Sequence, residues 1–293
     1  MTKNGAEHDY VLGTHDEEIE RLGLQHRVWR PRVLDAWRRA GFSAGQTLLD
    51  VGAGPGYGTL DLAEIAGPTG RVVALERSRR FLDALEANRR RRGFENVEAR
   101  ELDLDEGALP DLAADGAWCR WIFAFVKQPR DLLARLSRAL RPGAALVIFE
   151  YFDYSTWRLA PPTPEIEEFV RLVMQSWRAS GGEPDVGLQL PRWLDETGFA
   201  LRSLRPIVDV VAPSDDIWRW PAAFLEVGLR RLVDLGHLDA ARARVIAAAV
   251  AAREREPNTF MITPAVLEVV AVRTSTPSRR GPQARQRTES VRS

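Results

Sequence analysis

The chain is poor in the residues that cross-link or metallate small folds. Of its 293 residues one is a cysteine, Cys119, and four are histidines. A single thiol excludes an internal disulfide and a cysteine-rich zinc site. His8, His15, His26 and His237 show no ligand spacing, so no metal is expected. Lysine is nearly absent as well. Lys3 and Lys127 stand alone, and neither follows a glycine loop, which excludes the G-x-x-x-x-G-K-S/T phosphate loop. No run approaches the roughly 18 apolar residues of a membrane span. The opening MTKNGAEHDY is polar where a secretory leader is apolar, and a cytoplasmic protein is expected.

What is present suits a sizeable folded core: 45% of the residues are hydrophobic. The formal net charge is +0, but it is unevenly spread. The last 21 residues, RTSTPSRRGPQARQRTESVRS, hold six arginines against one glutamate, so the rest of the chain is net acidic. An acidic body is not a nucleic-acid footprint. The tail, 275–293, lacks the large apolar residues needed to offset ordering entropy and is expected to be disordered.

From Gln46 onward, strand and helix patterns alternate. TLLDV (47–51), RVVALE (71–76), VEARELD (97–103), GAWCRWI (116–122) and ALVIFEYF (145–152) read as strands. Helices are expected near 58–66, 79–92 and 130–140, punctuated by GPTG, RRGF and RPGA. This alternation predicts an α/β fold, a doubly wound Rossmann-like parallel sheet that binds its ligand beyond the carboxyl ends of the strands.

The loop after the first strand carries the chemistry. LLDVGAGPGYGTLDLA places Gly52, Gly54, Gly56 and Gly58 at alternate positions, where a backbone can turn sharply and approach a ligand closely. A dinucleotide fingerprint, G-x-G-x-x-G, fails at its sixth position, which is Tyr57 counted from Gly52 and Thr59 counted from Gly54. The stretch Leu49-Asp50-Val51-Gly52-Ala53-Gly54-Pro55-Gly56 resembles the first motif of class I S-adenosylmethionine-dependent methyltransferases. An acid beside the loop suits that cofactor, which is cationic and has no pyrophosphate. Asp50 capping the loop's own N–H groups is the other reading. Glu76, at the end of the second strand, fits either cofactor by accepting from ribose hydroxyls.

The resemblance runs through most of 46–274 and is nearest the ubiquinone and menaquinone biosynthesis methyltransferases. It implies seven strands with the last antiparallel, AVLEVVAVRT (265–274), after a helix and strand in LPRWLDETGFALRSLRPI (190–207). It places Asp103 beside the adenine, with Asp105 and Glu106 as alternatives. It assigns cofactor contacts to Asp50, Gly52, Ala53, Gly54, Gly56, Glu76, Arg77, Leu104 and Arg120. The N-terminal segment, 1–45, resembles a helical cap. Thr14-x-x-Glu17 reads as a capping box, and Ile19, Leu22, His26, Trp29 and Val33 recur at helical spacing up to about Arg30. Tyr10, Arg21 and Gln25 would face the methionine end, with Arg21 a forked donor to its carboxylate.

Helical insertions near 153–189 and 213–256 are expected to form a lid. The first starts a helix at Pro164 with Ile166, Phe169, Val170, Val173 and Trp177 on its apolar face. The second carries Trp218, Trp220, Phe224 and Leu225. Methyl transfer needs positioning more than a strong base. Where an acceptor proton must leave, Glu150, Tyr154 and His26 are the candidate bases. Arg120-Trp121-Ile122-Phe123 does not match the N/D-P-P-Y/F motif of amino-methyltransferases, and Cys119 lacks the Pro-Cys context of pyrimidine C5 chemistry. The expected function is methylation of a hydrophobic or aromatic small molecule at O, N or C, by a monomer or homodimer. A nicotinamide-dependent oxidoreductase and a non-catalytic cofactor-binding protein are the alternatives.

Overall fold

The computed structural model describes residues 16–275. Tyr10, Thr14 of the capping box and nearly all of the arginine-rich tail lie outside them. The first helix, α1, spans Asp16–Ala40. Asp16, Glu17 and Glu18 open it and Arg38 and Arg39 close it, each complementing the helix dipole. The periodicity predicts an end near Arg30, yet the helix continues through Pro31. Val33, Ala36 and Trp37 prolong the apolar stripe and have no solvent exposure. Their burial outweighs the roughly 3 kcal/mol of an interior proline.

The main sheet is built from β1 (Thr47–Val51), β2 (Arg71–Glu76), β3 (Val97–Glu101), β4 (Ala114–Arg120), β5 (Leu140–Asp153), β7 (Phe199–Ile207) and β10 (Ala265–Arg273). Its strand order is β3-β2-β1-β4-β5-β10-β7. β10 runs antiparallel to both β5 and β7, and the other pairings are parallel. The doubly wound sheet with an antiparallel last strand is therefore as expected. The order reverses between β1 and β4, which opens the crevice there. α2 (Tyr57–Ala66), α3 (Arg79–Arg92) and α4 (Pro129–Ala139) link the parallel strands. α6 (Leu190–Glu196) precedes β7, an outermost strand that carries Arg202, Arg205 and Pro206.

Two strand boundaries differ from expectation. β3 stops at Glu101, leaving Asp103 in the following turn, and β4 is displaced two residues toward the N-terminus. A three-stranded antiparallel sheet of β6 (Arg158–Ala160), β9 (Phe260–Ile262) and β8 (Val210–Val211) was not anticipated. Strands of two or three residues carry no readable periodicity. α5 (Pro164–Ala179), α7 (Arg219–Asp234) and α8 (Ala240–Glu254) pack together and, with α1, cover one face. Among the described residues no helix is long and apolar enough to cross a membrane.

Candidate functional site

The glycine loop leaves β1 between two fixed walls. Gly52, Gly54 and Gly56 have φ of 72°, 55° and 81°, in the left-handed region that side chains resist. A Cβ on Gly52 would lie 2.0 Å from Ile122 Cδ1, and one on Gly56 would lie 2.1 Å from Leu85 Cδ1. At Gly54 nothing lies within 4 Å, because that position faces open space. The Gly52 and Ala53 N–H groups donate to the Leu75 carbonyl at 2.8 and 3.0 Å, tying the bend to β2.

Glu76 sits at the end of β2 directly beneath the bend. Its Oε2 accepts the Gly54 N–H at 2.9 Å and its Oε1 accepts the Ser78 N–H at 2.8 Å. Burial raises its pKa, which these bonds oppose. Asp50 does not spend its carboxylate on the loop amides. Its Oδ2 accepts the Thr59 hydroxyl at 2.6 Å, and burial pushes its pKa up to about 6.

Gly52, Ala53, Gly54, Asp50 and Glu76 line one cleft with Arg77, Asp103, Leu104, Arg120 and Gln25; it encloses about 1100 Å³ counted to its open mouth. Asp103 stabilises its own turn by accepting the Asp105 N–H at 2.8 Å. Asp105 also lines the cleft, whereas Glu106 and Gly56 do not. Gly56 acts instead behind the loop, where its left-handed turn starts α2. Trp118, Trp121 and Phe125 supply an aromatic wall that the sequence reading did not assign to the cleft. Their placement directly along and after β4 was the available signal.

Four expected site residues are turned elsewhere. Arg21 is buried, but its Nε and Nη2 donate to Glu18 at 2.7 and 2.6 Å and its Nη1 to Gln25 at 3.0 Å. Its fork is thus held within α1, and it does not line the cleft. Tyr154 packs in the lid, with ring centroids 4.8 Å from Tyr151 and 5.0 Å from Trp177. Glu150 is fully buried behind β4, and its Oε2 accepts the Phe123 and Ala124 N–H groups at 2.8 and 3.3 Å. Its Oε1 takes the Tyr151 N–H at 3.1 Å. The carboxyl holds the segment after β4 and does not open onto the cleft. His26 also lies outside the cleft lining. Its Nε2 is 3.0 Å from Asp61 Oδ2, which also accepts from Arg30 Nε at 2.7 Å.

The Glu150 environment gives a testable pH dependence. Burial pushes its pKa from 4.5 up to about 8. A carboxyl whose folded pKa is raised stabilises the fold below its unfolded pKa, and that stability is lost as pH rises through the folded value. Relative to Glu150→Gln, wild-type unfolding free energy is expected to fall between about pH 5 and about pH 8, at up to about 1.4 kcal/mol per pH unit. Denaturant titrations of both proteins across that window measure the slope. A pH-independent difference would refute it.

Comparison with known proteins agrees with this geometry. Residues 49–148 match the family model described as a methyltransferase domain. An uncharacterized 37.1 kDa protein in transposon TN4556 of Streptomyces fradiae is 31% identical over 167 residues, 57% of this chain and 47% of that protein. The demethylmenaquinone methyltransferase of Lactococcus lactis is 29% identical over 131 residues, 43% of this chain and 49% of that enzyme. The chain therefore spans about half the length of these curated relatives. The fold matches that of geranyl diphosphate C-methyltransferase from Streptomyces coelicolor, solved with Mg2+, geranyl diphosphate and S-adenosyl-L-homocysteine. The TM-score is 0.54 and the identity 16%, over 89% of this chain and 85% of that one. The glycine bend, the post-strand acids and the 3-2-1-4-5 order that continues into an antiparallel strand belong to, or continue from, the segment 49–148 that matches the methyltransferase domain.

Proposed function

We propose that the chain transfers a methyl group from S-adenosylmethionine to O, N or C of an apolar, ring-bearing small molecule. The observation that carries this reading is the acidic glycine cleft. Gly54 presents backbone without a Cβ between Asp50 and Glu76, and no lysine is near to meet a phosphate. When bound, the cofactor supplies an electrophilic methyl carbon on a positively charged sulfur. Glu76 is placed to accept from the ribose hydroxyls and Asp103 from the adenine amine. Asp50 offers a carboxylate to the cationic end.

The acceptor side is apolar. Trp121 follows β4 at the cleft edge with φ 52°, a conformation that costs a bulky residue of order 1–3 kcal/mol and is concentrated at functional sites. Its ring lies nearly parallel to Tyr151 at 5.4 Å and to Trp220 at 5.6 Å. Trp29 closes edge-on at 5.3 Å. These rings exclude water from the transfer site, which strengthens the electrostatic contacts inside it. The Lactococcus lactis relative is named for demethylmenaquinone, and an apolar acceptor of that general kind suits such a wall.

Of the three candidate bases, His26 is the one left with an unpartnered ring nitrogen among the described residues, although it stands behind the cleft lining. Burial lowers its pKa and keeps the ring neutral, the Asp61 contact assigns the proton to Nε2, and Nδ1 has no partner among the described residues. A nicotinamide enzyme is disfavoured by Tyr57 at the third glycine position; its hydroxyl donates to the Ile19 carbonyl at 3.2 Å and fixes the cap to α2.

Calorimetry tests the reading. Micromolar binding of S-adenosylmethionine and S-adenosylhomocysteine, with none of NADH, is expected, followed by methyl transfer to a member of an aromatic metabolite panel. Binding of NADH alone would reverse the assignment, and binding without turnover on any acceptor would favour a non-catalytic role.

A further inference from the structure

The three-stranded sheet turns one face to the core and leaves the other uncovered. Leu159, Met261 and Val211 pair across β6, β9 and β8 and are almost fully buried. Successive side chains alternate across a sheet, so the neighbouring row, Arg158, Ile262 and Val210, points outward, as do Ala160 and Phe260. Val210 is 66% exposed and Phe260 42%, and Val208, just before β8, is 44% exposed. Large apolar side chains gathered on one surface mark a contact with something else. Beside β6 this face runs into a groove of about 910 Å³ counted to its open mouth, where Arg158 meets Arg171 and Arg178 of α5. Arg178 is committed to Glu183 and Asp185 at 2.8 and 2.9 Å. Arg158 and Arg171 form no ion pair with a described residue; each has a 3.4 Å hydrogen bond, to the Thr156 carbonyl and to Gln175 Oε1 respectively. Glu167 is the one carboxylate among the described residues of the groove. At the other margin Asp209 is already held by both Nη atoms of Arg32, at 2.7 and 2.8 Å.

The size and charge of the face select its occupant. Three strands of at most three residues make a footprint on the order of 150 Å². A stable dimer buries about 800 Å² on each partner, and among the described residues the face carries no carboxylate to meet the Arg158 of a second copy. A lipid surface demands no matching shape. It takes up small apolar areas at the headgroup boundary and adds attraction between cations and anionic lipid. We propose that this face docks on an anionic lipid bilayer: Val210, Ile262 and Phe260 enter the headgroup boundary, and Arg158 and Arg171 meet lipid phosphates. The proposal goes beyond methyl transfer and does not depend on it. Its consequence for the site is one of placement. Trp157, next to Arg158, lines the groove, and its ring lies 6.0 Å from Tyr154 of the lid, so docking here turns the lid toward the phase in which an apolar acceptor dissolves.

Co-sedimentation of the full chain with lipid vesicles tests this without cofactor or acceptor. Wild type is expected to partition at least about 10-fold more strongly onto phosphatidylcholine vesicles holding about one-third phosphatidylglycerol than onto phosphatidylcholine alone. Val210→Ser combined with Phe260→Ser should lower partitioning onto the anionic vesicles by at least about fivefold. Arg158→Gln combined with Arg171→Gln should do the same and flatten its dependence on salt. The arginine-rich tail is present in every protein compared, so its own attraction to lipid cancels. Inorganic phosphate at constant ionic strength should leave the bound fraction unchanged. The proposal is overturned if wild type shows no preference for anionic vesicles or if both double variants bind as wild type does. It is equally overturned if inorganic phosphate releases the protein, which would assign the groove to a free anion. Sedimentation velocity without lipid gives a further check: a dimer that Val210→Ser with Phe260→Ser dissociates would assign the face to a second copy. Should a double variant fail to fold, hydrogen exchange of wild type decides, with slower exchange at 208–211 and 260–262 expected on anionic vesicles. Slowing confined to the tail would refute the docking face.

Discussion

Gly54→Val is expected to weaken S-adenosylmethionine and S-adenosylhomocysteine binding by at least about 100-fold, close to 2.7 kcal/mol, while the protein still unfolds cooperatively. Two effects act together. Valine at φ 55° is strained, because a β-branched side chain in the left-handed region meets its own backbone. Its branches also occupy the open space over the loop, where nothing now lies within 4 Å, and so fill the floor on which a nucleoside would rest. That same open space is why the fold should survive. The contrast is Gly52→Val, whose first carbon would collide with Ile122, so it is expected to lose the fold and binding together. Calorimetry and a thermal melt on both variants separate the cases. Wild-type affinity in Gly54→Val would remove the loop from the binding site.

Trp29→Ala is expected to destabilise the fold by about 3–5 kcal/mol, the usual range for truncating a large buried aromatic. Trp29 is 1% exposed and sits where α1, the sheet and α7 meet. Its ring contacts Phe149 at 5.9 Å and Trp220 at 4.8 Å in addition to Trp121. Its indole N–H has no partner among the described residues, and removing an unmet donor offsets part of the loss, so the lower end of the range is expected. Trp29→Phe, which keeps most of the volume, should lose less than half as much. Chemical denaturation of the three proteins measures this. A loss below about 1 kcal/mol in the alanine variant would mean that α1 and α7 are not joined through this ring.

The sheet and the glycine bend were legible because their signals are local. Apolar runs of strand length, separated by helix patterns, specify parallel pairing, and alternating glycines after β1 specify a turn that only they permit. Glu76 was legible for the same reason, at a strand end beside the loop. For Arg21 the resemblance implied a contact to the cofactor, while in the structure its fork meets Glu18, three residues away on the same helix face. The surroundings of Glu150 were not legible, because a strand-end acid looks alike whether it faces a ligand or a backbone. Only the path of the segment after β4 brings the Phe123 and Ala124 N–H groups to it. The aromatic wall was hidden in the same way. Trp29, Trp121, Tyr151 and Trp220 come from four separate segments, and no periodicity within any one of them announces that the rings meet.

The outermost strand β7 bears on self-association. An antiparallel pairing of two copies centred between Ser203 and Leu204 would set Arg202 of one against Arg205 of the other, and Pro206 has no N–H to lend to a shared ladder. Like-charge opposition in that register disfavours edge-to-edge pairing along this margin.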